Sequence, residues 1–215
     1  MRLKLIGLLV LSTLVMVACS GDSPEESMYE HMEESVQLES DFVDQQQPLS
    51  ELEQEEQEIY NEISELDMDE FEEIEALAQE AIESIDTRRD LTETERESIE
   101  ASKEEFDQIE QYIEDLDEDL QPLAEDMLDR MEERYQAFLD LHEAYQTSLD
   151  LDEELYELLL DEDLEEDQLS DQVDEVNQQY EEVIEANDVF NQATDDFNQS
   201  KREFYEQSDL NVTYE

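Results

Sequence analysis

LSDQVDEVNQQYEEVIEANDVFNQATDDFNQSKREF, residues 169–204, is the stretch of sequence that decides the fold. Alternate steps of four and three residues from Leu169 select positions on one stripe of an α-helix. Such a stripe is the a/d seam of a coiled coil, and here it is sustained for five heptads. One row of the seam is apolar throughout: Leu169, Val176, Val183, Phe190, Phe197 and Phe204. The other row turns polar toward the C-terminus: Val173, Tyr180, Asn187, Thr194 and Lys201.

The seam predicts both core and register residues. A helix with one apolar stripe needs a partner helix to cover it, so we expect the apolar row to be buried. The predicted core residues on this helix are Val183, Phe190, Phe197 and Phe204. Polar seam residues usually fix register and helix number, and we assign that role to Asn187, Thr194 and Lys201. A strip of ligand-facing side chains is the alternative for these three.

Composition excludes several classes of function. The 215-residue chain has 10 Lys or Arg against 70 Asp or Glu, a net charge of −60, which argues against a nucleic-acid partner. It contains two glycines and three prolines, too few for the turns of a sheet fold or for a glycine-rich phosphate loop. Acidic chains can be disordered, but a disordered chain has no reason to maintain a heptad repeat. The sequence therefore predicts an all-α protein.

The first 18 residues have the organisation of a signal peptide. A positive start, Met-Arg-Leu-Lys, precedes a run over residues 5–17 that is apolar apart from Ser12 and Thr13 and is too short to span a membrane comfortably. Met16-Val17-Ala18-Cys19 resembles the bacterial lipobox. The resemblance implies cleavage after residue 18 and acylation of Cys19, with palmitate-like chains anchoring the protein. The alternative is an ordinary signal peptide that leaves Cys19 as a free thiol.

The remaining chain divides into a lipidated tether (19–27), a bundle domain (28–207) and a C-terminal tail (208–215). Helix-start patterns and prolines predict four long segments, at about 24–66, 69–118, 121–161 and 165–207. Within them we expect Pro48 to kink or break the first helix, and Arg88-Arg89-Asp90 to disturb the second. The spacing of Thr92 and Glu95 predicts a further capping box.

Short connections between long helices favour antiparallel neighbours. We predict an elongated, antiparallel bundle of long helices with coiled-coil packing. The alternative is a spectrin-like three-helix coiled coil with the first or second segment partly detached.

The central and C-terminal segments resemble the YkyA-like cell-wall-binding lipoproteins of Gram-positive bacteria. The matching stretches are PLA (122–124), MEERY (131–135), LY (155–156), LL (158–159), FNQAT (190–194), FN (197–198), Lys201 and FY (204–205). With Cys19, the resemblance covers nearly the whole chain. It implies a membrane-anchored protein on the outer face of the cell membrane, facing and contacting the cell wall, and it brings no catalytic residues. The chain is more acidic than the resemblance leads us to expect, which argues against direct attraction to anionic wall polymers.

No constellation in the sequence points to catalysis, a metal or a cofactor. His31 and His142 lack the Glu-x-x-His spacing of di-iron bundles, and the lone cysteine excludes a cysteine zinc site. The acidic runs at 161–163 and 165–167 lack EF-hand spacing, and Arg130 and Arg134 are expected to form salt bridges.

We therefore predict a structural or interaction lipoprotein without enzymatic activity. Its expected partners are the membrane, through the lipid, and a cell-wall polymer or another surface protein. The alternative is an extracytoplasmic chaperone or adaptor that binds a protein through a helical groove. Without Arg2 and Lys4 the net charge is near −62, so we also expect stabilisation by salt, as in a halophilic setting.

Overall fold

The computed structural model describes residues 23–208 and 210, and every regular element within them is helical. The five α-helices are α1 (Pro24–Leu38), α2 (Ser40–Glu65), α3 (Phe71–Phe106), α4 (Gln121–Leu158) and α5 (Glu166–Gln207). Two 3₁₀ segments, Met68–Glu70 and Asp107–Asp115, precede and extend α3.

A capping box starts α1 earlier than the predicted domain boundary. The Ser23 hydroxyl accepts from the Glu26 amide at 3.2 Å, and the Glu26 carboxylate accepts from the Ser23 amide at 2.9 Å. Pro24 occupies the first turn, where its missing N–H costs nothing. The helix therefore begins at the predicted start of the first long segment, about residue 24, and its first turn lies within the predicted tether.

The first long segment is interrupted at Glu39 and not at Pro48, so a break at the proline, one of the two predicted outcomes, is wrong. Pro48 lies inside continuous α2. At the real break, the Ser98 hydroxyl of α3 donates to the Leu38 carbonyl at 2.6 Å and accepts from the Phe42 amide at 3.1 Å. It replaces the backbone bond that would join these two groups, and a side chain inserted in this way bends a helix.

The predicted disturbance of the second segment at residues 88–90 is also wrong. Helix α3 runs without a break from Phe71 to Phe106. Thr92 is not a cap, because its hydroxyl donates to the carbonyls of Arg88 and Arg89 one turn earlier, at 3.0 Å each. The helix continues because the core face accepts the Arg88 side chain, which is fully buried.

The helices form one elongated antiparallel bundle. Helices α1 and α2 pack on α3, α3 packs on α4, and α4 packs on α5. One end joins Met28, Phe106, Met127 and Phe204, and the other joins Ile59, Ile74, Tyr156 and Leu159, so neighbouring segments run in opposite directions. With 42 residues, α5 alone spans roughly 63 Å. The predicted all-α elongated bundle is confirmed, and all four segments take part in it, unlike in the three-helix alternative.

Candidate functional site

A long groove lies between the first and last helical segments. Within the described residues, no Cα atom of α2 comes within 8 Å of α5. The two helices therefore form the walls of a groove of about 860 Å³, whose floor is made by α3 and α4. Smaller cavities of about 190 and 280 Å³ continue along the same boundary.

Aromatic rings close the groove at one end. Phe42 of α2, Phe138 of α4 and Phe190 of α5 form a triangle with ring centroids 5.7–6.1 Å apart. All three pairs meet edge to face, the arrangement that aromatic quadrupoles favour. This triangle supplies a direct side-chain contact between α2 and α5, and it gives the groove an apolar floor.

The rims of the groove are polar and acidic. Gln46 and Glu53 line the α2 side, and Asn187 and Asp188 line the α5 side. All four of these side chains are exposed. Ile184 interrupts the polar α5 rim with an apolar side chain that is 63% exposed. A molecule lying in the groove would meet the apolar side chains of Phe138 and Leu141 below it, next to polar Glu95, and amide or carboxylate groups at either side.

Arg134 carries the positive charge nearest the aromatic end, but an acid already neutralises it. Its guanidinium donates two hydrogen bonds to the Glu39 carboxylate, at 2.7 and 2.8 Å. Its Nε donates to the Thr194 hydroxyl at 3.2 Å, and the group stacks 5.4 Å from the centre of the Phe190 ring. This bidentate pair binds α4 to the break between α1 and α2 and leaves little net charge at this end.

Toward the other end of the bundle, a buried ionic cluster joins all four helical segments. Arg88 of α3 is fully buried and pairs with Glu56 of α2. Its Nη2 also lies 3.5 Å from a carboxylate oxygen of Asp152 in α4. Tyr180 of α5 donates to Asp152 at 2.7 Å. The Nε and Nη1 of Arg88 are buried and have no hydrogen-bond partner among the described residues, so two carboxylates share one side of the guanidinium.

Burial controls protonation around the groove. Burial raises the pKa of Glu56 to about 7. The attraction of Arg88 opposes this rise only in part, because Glu56 and Asp152 share that one cation. Burial also raises the pKa of Asp152 and brings that of Glu95 to about 7, the latter with Glu53 close by. Burial lowers the pKa of His142, so its ring is neutral at pH 7. Glu56 and Glu95 therefore change protonation near neutral pH, and the negative charge of the groove comes from the exposed acids on its rims, Glu53 and Asp188.

The structure separates the predicted seam residues into two groups. Phe190, Phe197 and Phe204 are buried, with Phe197 packed 5.2 Å from the Phe106 ring. Val183 is only half-buried and lines the groove. The three predicted register residues lie on the side of α5 that faces the groove and the smaller cavity next to it. Asn187 is exposed and accepts from Asn191 at 2.5 Å, Thr194 meets Arg134, and half-buried Lys201 lies 5.7 Å from the Tyr205 ring.

Other candidate residues make ordinary structural contacts. His31 lies 2.6 Å from Glu105, and Arg130 pairs with Asp126 and Glu133 on its own helix.

Across the part of the chain that the structure describes, no three His, Cys, Asp or Glu side chains are grouped to hold a metal ion. None of the described helices is long and apolar enough to cross a membrane. Cys19 lies outside the described residues.

Sequence reasoning missed the buried cluster, although the repeat contains a signal for it. The buried stripe of α3 follows strict alternate steps of four and three, through Ile74, Ala78, Ala81, Ile85, Arg88, Thr92, Glu95, Ile99, Ser102 and Phe106. Arg88 therefore occupies a core position of an unbroken seam, as Thr92 and Glu95 do. A charged residue in register with a seam is a candidate for a buried ion pair.

Fold and groove together define a class of protein: an elongated helical bundle with an open cleft along one side. The profile of the YkyA family, described as "Putative cell-wall binding lipoprotein", matches residues 23–207. The chain belongs to this family, as the resemblance predicted, and it is thus an extracytoplasmic lipoprotein of a family described by surface association and not by an enzymatic activity.

Two relatives illustrate the similarity. The chain is 30% identical over 172 residues to "Uncharacterized lipoprotein YkyA" of Bacillus subtilis (strain 168). The matched region covers 80% of this chain and 77% of that protein. It also matches the fold of a conserved protein of unknown function from Staphylococcus aureus, solved at 1.6 Å. That match has a TM-score of 0.70 at 14% identity and covers 87% of this chain and 98% of the other. It extends the fold beyond close relatives.

Proposed function

We propose that the chain is a non-catalytic rod, anchored through acylated Cys19 to the outer face of the cell membrane and contacting the cell wall. One observation carries the proposal: a capped helix begins at Pro24, five residues after the lipobox-like cysteine, and opens a bundle roughly 63 Å long. Lipid at residue 19 would therefore hold one end of the rod at the membrane. The opposite end, with the connection between α4 and α5, would point toward the wall.

Charge sets the condition for wall contact. Like charges repel, and this chain has 70 acidic residues, so an anionic wall polymer approaches it only when salt or divalent cations screen the repulsion. A neutral wall component needs no such screening. We therefore expect wall binding that increases with ionic strength or Mg²⁺ if the ligand is anionic, and that is insensitive to both if it is neutral.

The test is sedimentation with purified wall sacculi, followed by immunoblotting of the pellet. Full-length mature protein carrying Cys19→Ser, which cannot take the lipid, should still pellet with sacculi. The same variant in cells should lose its lipid label and pass into the medium. Retention on membranes after a high-salt wash would contradict anchoring through Cys19. Failure to pellet with sacculi at any salt or Mg²⁺ concentration would contradict wall contact.

The groove between α2 and α5 favours a second candidate function, that of an extracytoplasmic adaptor or chaperone. A cleft of about 860 Å³ with an apolar floor is large enough for several side chains of another protein. Capture of a surface protein from membrane extracts by the wild-type chain, but not by a variant with an altered groove, would support this role.

A further inference from the structure

We propose that the groove between α2 and α5 binds a basic, amphipathic helical segment of a partner protein. This inference deepens the adaptor function and is independent of wall contact. It rests on three properties of the groove: its dimensions, its apolar floor and the sign of its charge.

The dimensions suit one short helix. The lining residues run over positions 42–57 of α2 and 180–194 of α5, which corresponds to roughly 21–22 Å at 1.5 Å per residue. A helical segment of about 14 residues has the same length and presents four turns. Helices that bind in grooves place apolar anchors at i, i+3, i+4 and i+7, which fits this length.

The floor offers the apolar surface that such anchors need. Leu49, Phe138 and Phe190 are buried beneath it, and half-buried Val183 faces the same space. Ile184 stands on the rim with 63% of its surface exposed. Exposed apolar side chains next to an apolar cleft are the pattern of an interaction surface. A wall peptide or a sugar chain would bring few apolar side chains to this floor.

The charge of the lining selects the basic partner. Glu53 and Asp188 stand exposed on opposite rims, and Glu95 lies buried between them. The positive group of the lining, Arg134, is already paired with Glu39, and burial lowers the pKa of His142, so its ring is neutral at pH 7. Glu53 accepts a hydrogen bond from the Tyr145 hydroxyl at 2.7 Å, but within the described residues neither Glu53 nor Asp188 forms a salt bridge with a Lys or Arg. Lys and Arg side chains on the polar face of a bound helix would therefore meet available carboxylates on both rims.

The test uses a fluorescein-labelled 14-residue peptide with Leu and Phe at helical i, i+3, i+4, i+7 spacing and Lys elsewhere. Binding to the full-length mature chain with Cys19→Ser is followed by fluorescence anisotropy. Two comparison peptides are a scrambled sequence of equal charge and an amphipathic sequence with Glu in place of Lys. We expect the amphipathic Lys peptide to bind at least tenfold tighter than either.

Matched variants on one helix locate the site. Ile184→Lys with Asp188→Lys removes an apolar and an acidic group from the groove rim. Val189→Lys with Glu185→Lys makes the same kind of change on exposed positions of α5 that lie outside the groove. The first pair should weaken peptide binding at least tenfold, and the second less than twofold. Melting curves verify that both variants remain folded.

Three outcomes would overturn the proposal. The first is equal affinity for the amphipathic and scrambled Lys peptides, which would mean non-specific attraction to an acidic surface. The second is an equal loss of affinity in the two double variants. The third is loss of sacculus binding in the groove variant with peptide affinity unchanged, which would make the groove a wall-binding site. Wall contact is measured separately with sacculi, so its failure and that of the peptide site are distinguishable.

Discussion

Removing the buried cation is the most informative perturbation of this fold. Arg88 has no exposed surface, and the side chains of its partners Glu56 and Asp152 are 10% and 3% exposed. Arg88→Met keeps the bulk of the side chain but leaves two buried carboxylates without a counter-charge. Removing one partner of a buried ion pair typically costs about 3–5 kcal/mol, a large share of the 5–15 kcal/mol by which domains are stable. We expect a loss of that size at pH 8.

The expected loss depends on pH, and this distinguishes charge from packing. Without Arg88 the pKa values of Glu56 and Asp152 must rise further, so both acids take up protons at mildly acidic pH. The cost of Arg88→Met should therefore be at least about 1 kcal/mol smaller at pH 5.5 than at pH 8. Adding Glu56→Gln should recover part of the stability at pH 8, because one of the two charges is then absent.

Urea unfolding monitored by far-UV circular dichroism measures these differences. Urea is the suitable denaturant because guanidinium chloride would itself screen charge, and ionic strength is held constant between the two pH values. Arg89→Met is the matched control. Arg89 follows directly on the same helix but is partly exposed and pairs with Asp150 and Glu153, whose side chains are 65% and 35% exposed, so its loss should cost less than about 1 kcal/mol. A cost of Arg88→Met below 1 kcal/mol at pH 8, or one that is equal at both pH values, would refute the reasoning.

Three further predictions concern packing, protonation and salt. Phe197→Asp should lower the free energy of unfolding in urea by at least about 3 kcal/mol because the ring is buried. Asp195→Lys, at an exposed position, should be neutral or mildly stabilising. Equal urea midpoints for Phe197→Asp and the parent would contradict the assignment of Phe197 to the seam. Burial raises the pKa of Glu95 from 4.5 to about 7, so between these pH values the folded chain retains a proton that the unfolded chain has released. The free energy of unfolding should therefore fall from pH 5 to pH 8, by about 3 kcal/mol at most from this group, and Glu95→Gln should reduce that fall. An unchanged slope of stability against pH in the variant would contradict the prediction. The melting temperature should rise between 0.05 and 1 M NaCl because salt screens the repulsion among 70 acidic residues, and a flat or falling value would remove that argument.

The helices were predictable because their signals are local. Heptad spacing identified α5, and the helix-start patterns placed the first two segments at about residues 24 and 69, where the structure has the starts of α1 and of the 3₁₀ turn before α3. Helix ends of this kind depend on a few neighbouring residues, whose hydrogen bonds can be anticipated from their spacing.

The errors and omissions arose where distant residues decide the local structure. The break at Glu39 depends on the Ser98 hydroxyl, which lies 56 residues beyond Phe42 and reaches it only after α3 has packed. The groove was missed because a seam predicts that each helix has a partner, but not that α2 would stand away from α5. The change from apolar to polar residues along the seam at Asn187 was the available sign of the groove, since Asn187 is exposed there.

The position of the groove along the rod bears on which partners could use it. On α2 the groove begins 18 residues beyond Pro24 and ends at Gln57, so it lies between roughly 27 and 50 Å from the start of α1. The four peptide units between Cys19 and Ser23 can add at most about 14 Å. If lipid holds residue 19 and the rod stands upright on the membrane, a partner helix must reach the middle part of the rod, at least about 27 Å from its start. In that orientation a short juxtamembrane segment next to the same anchor could not meet the groove, whereas a segment of a secreted or wall-side protein could.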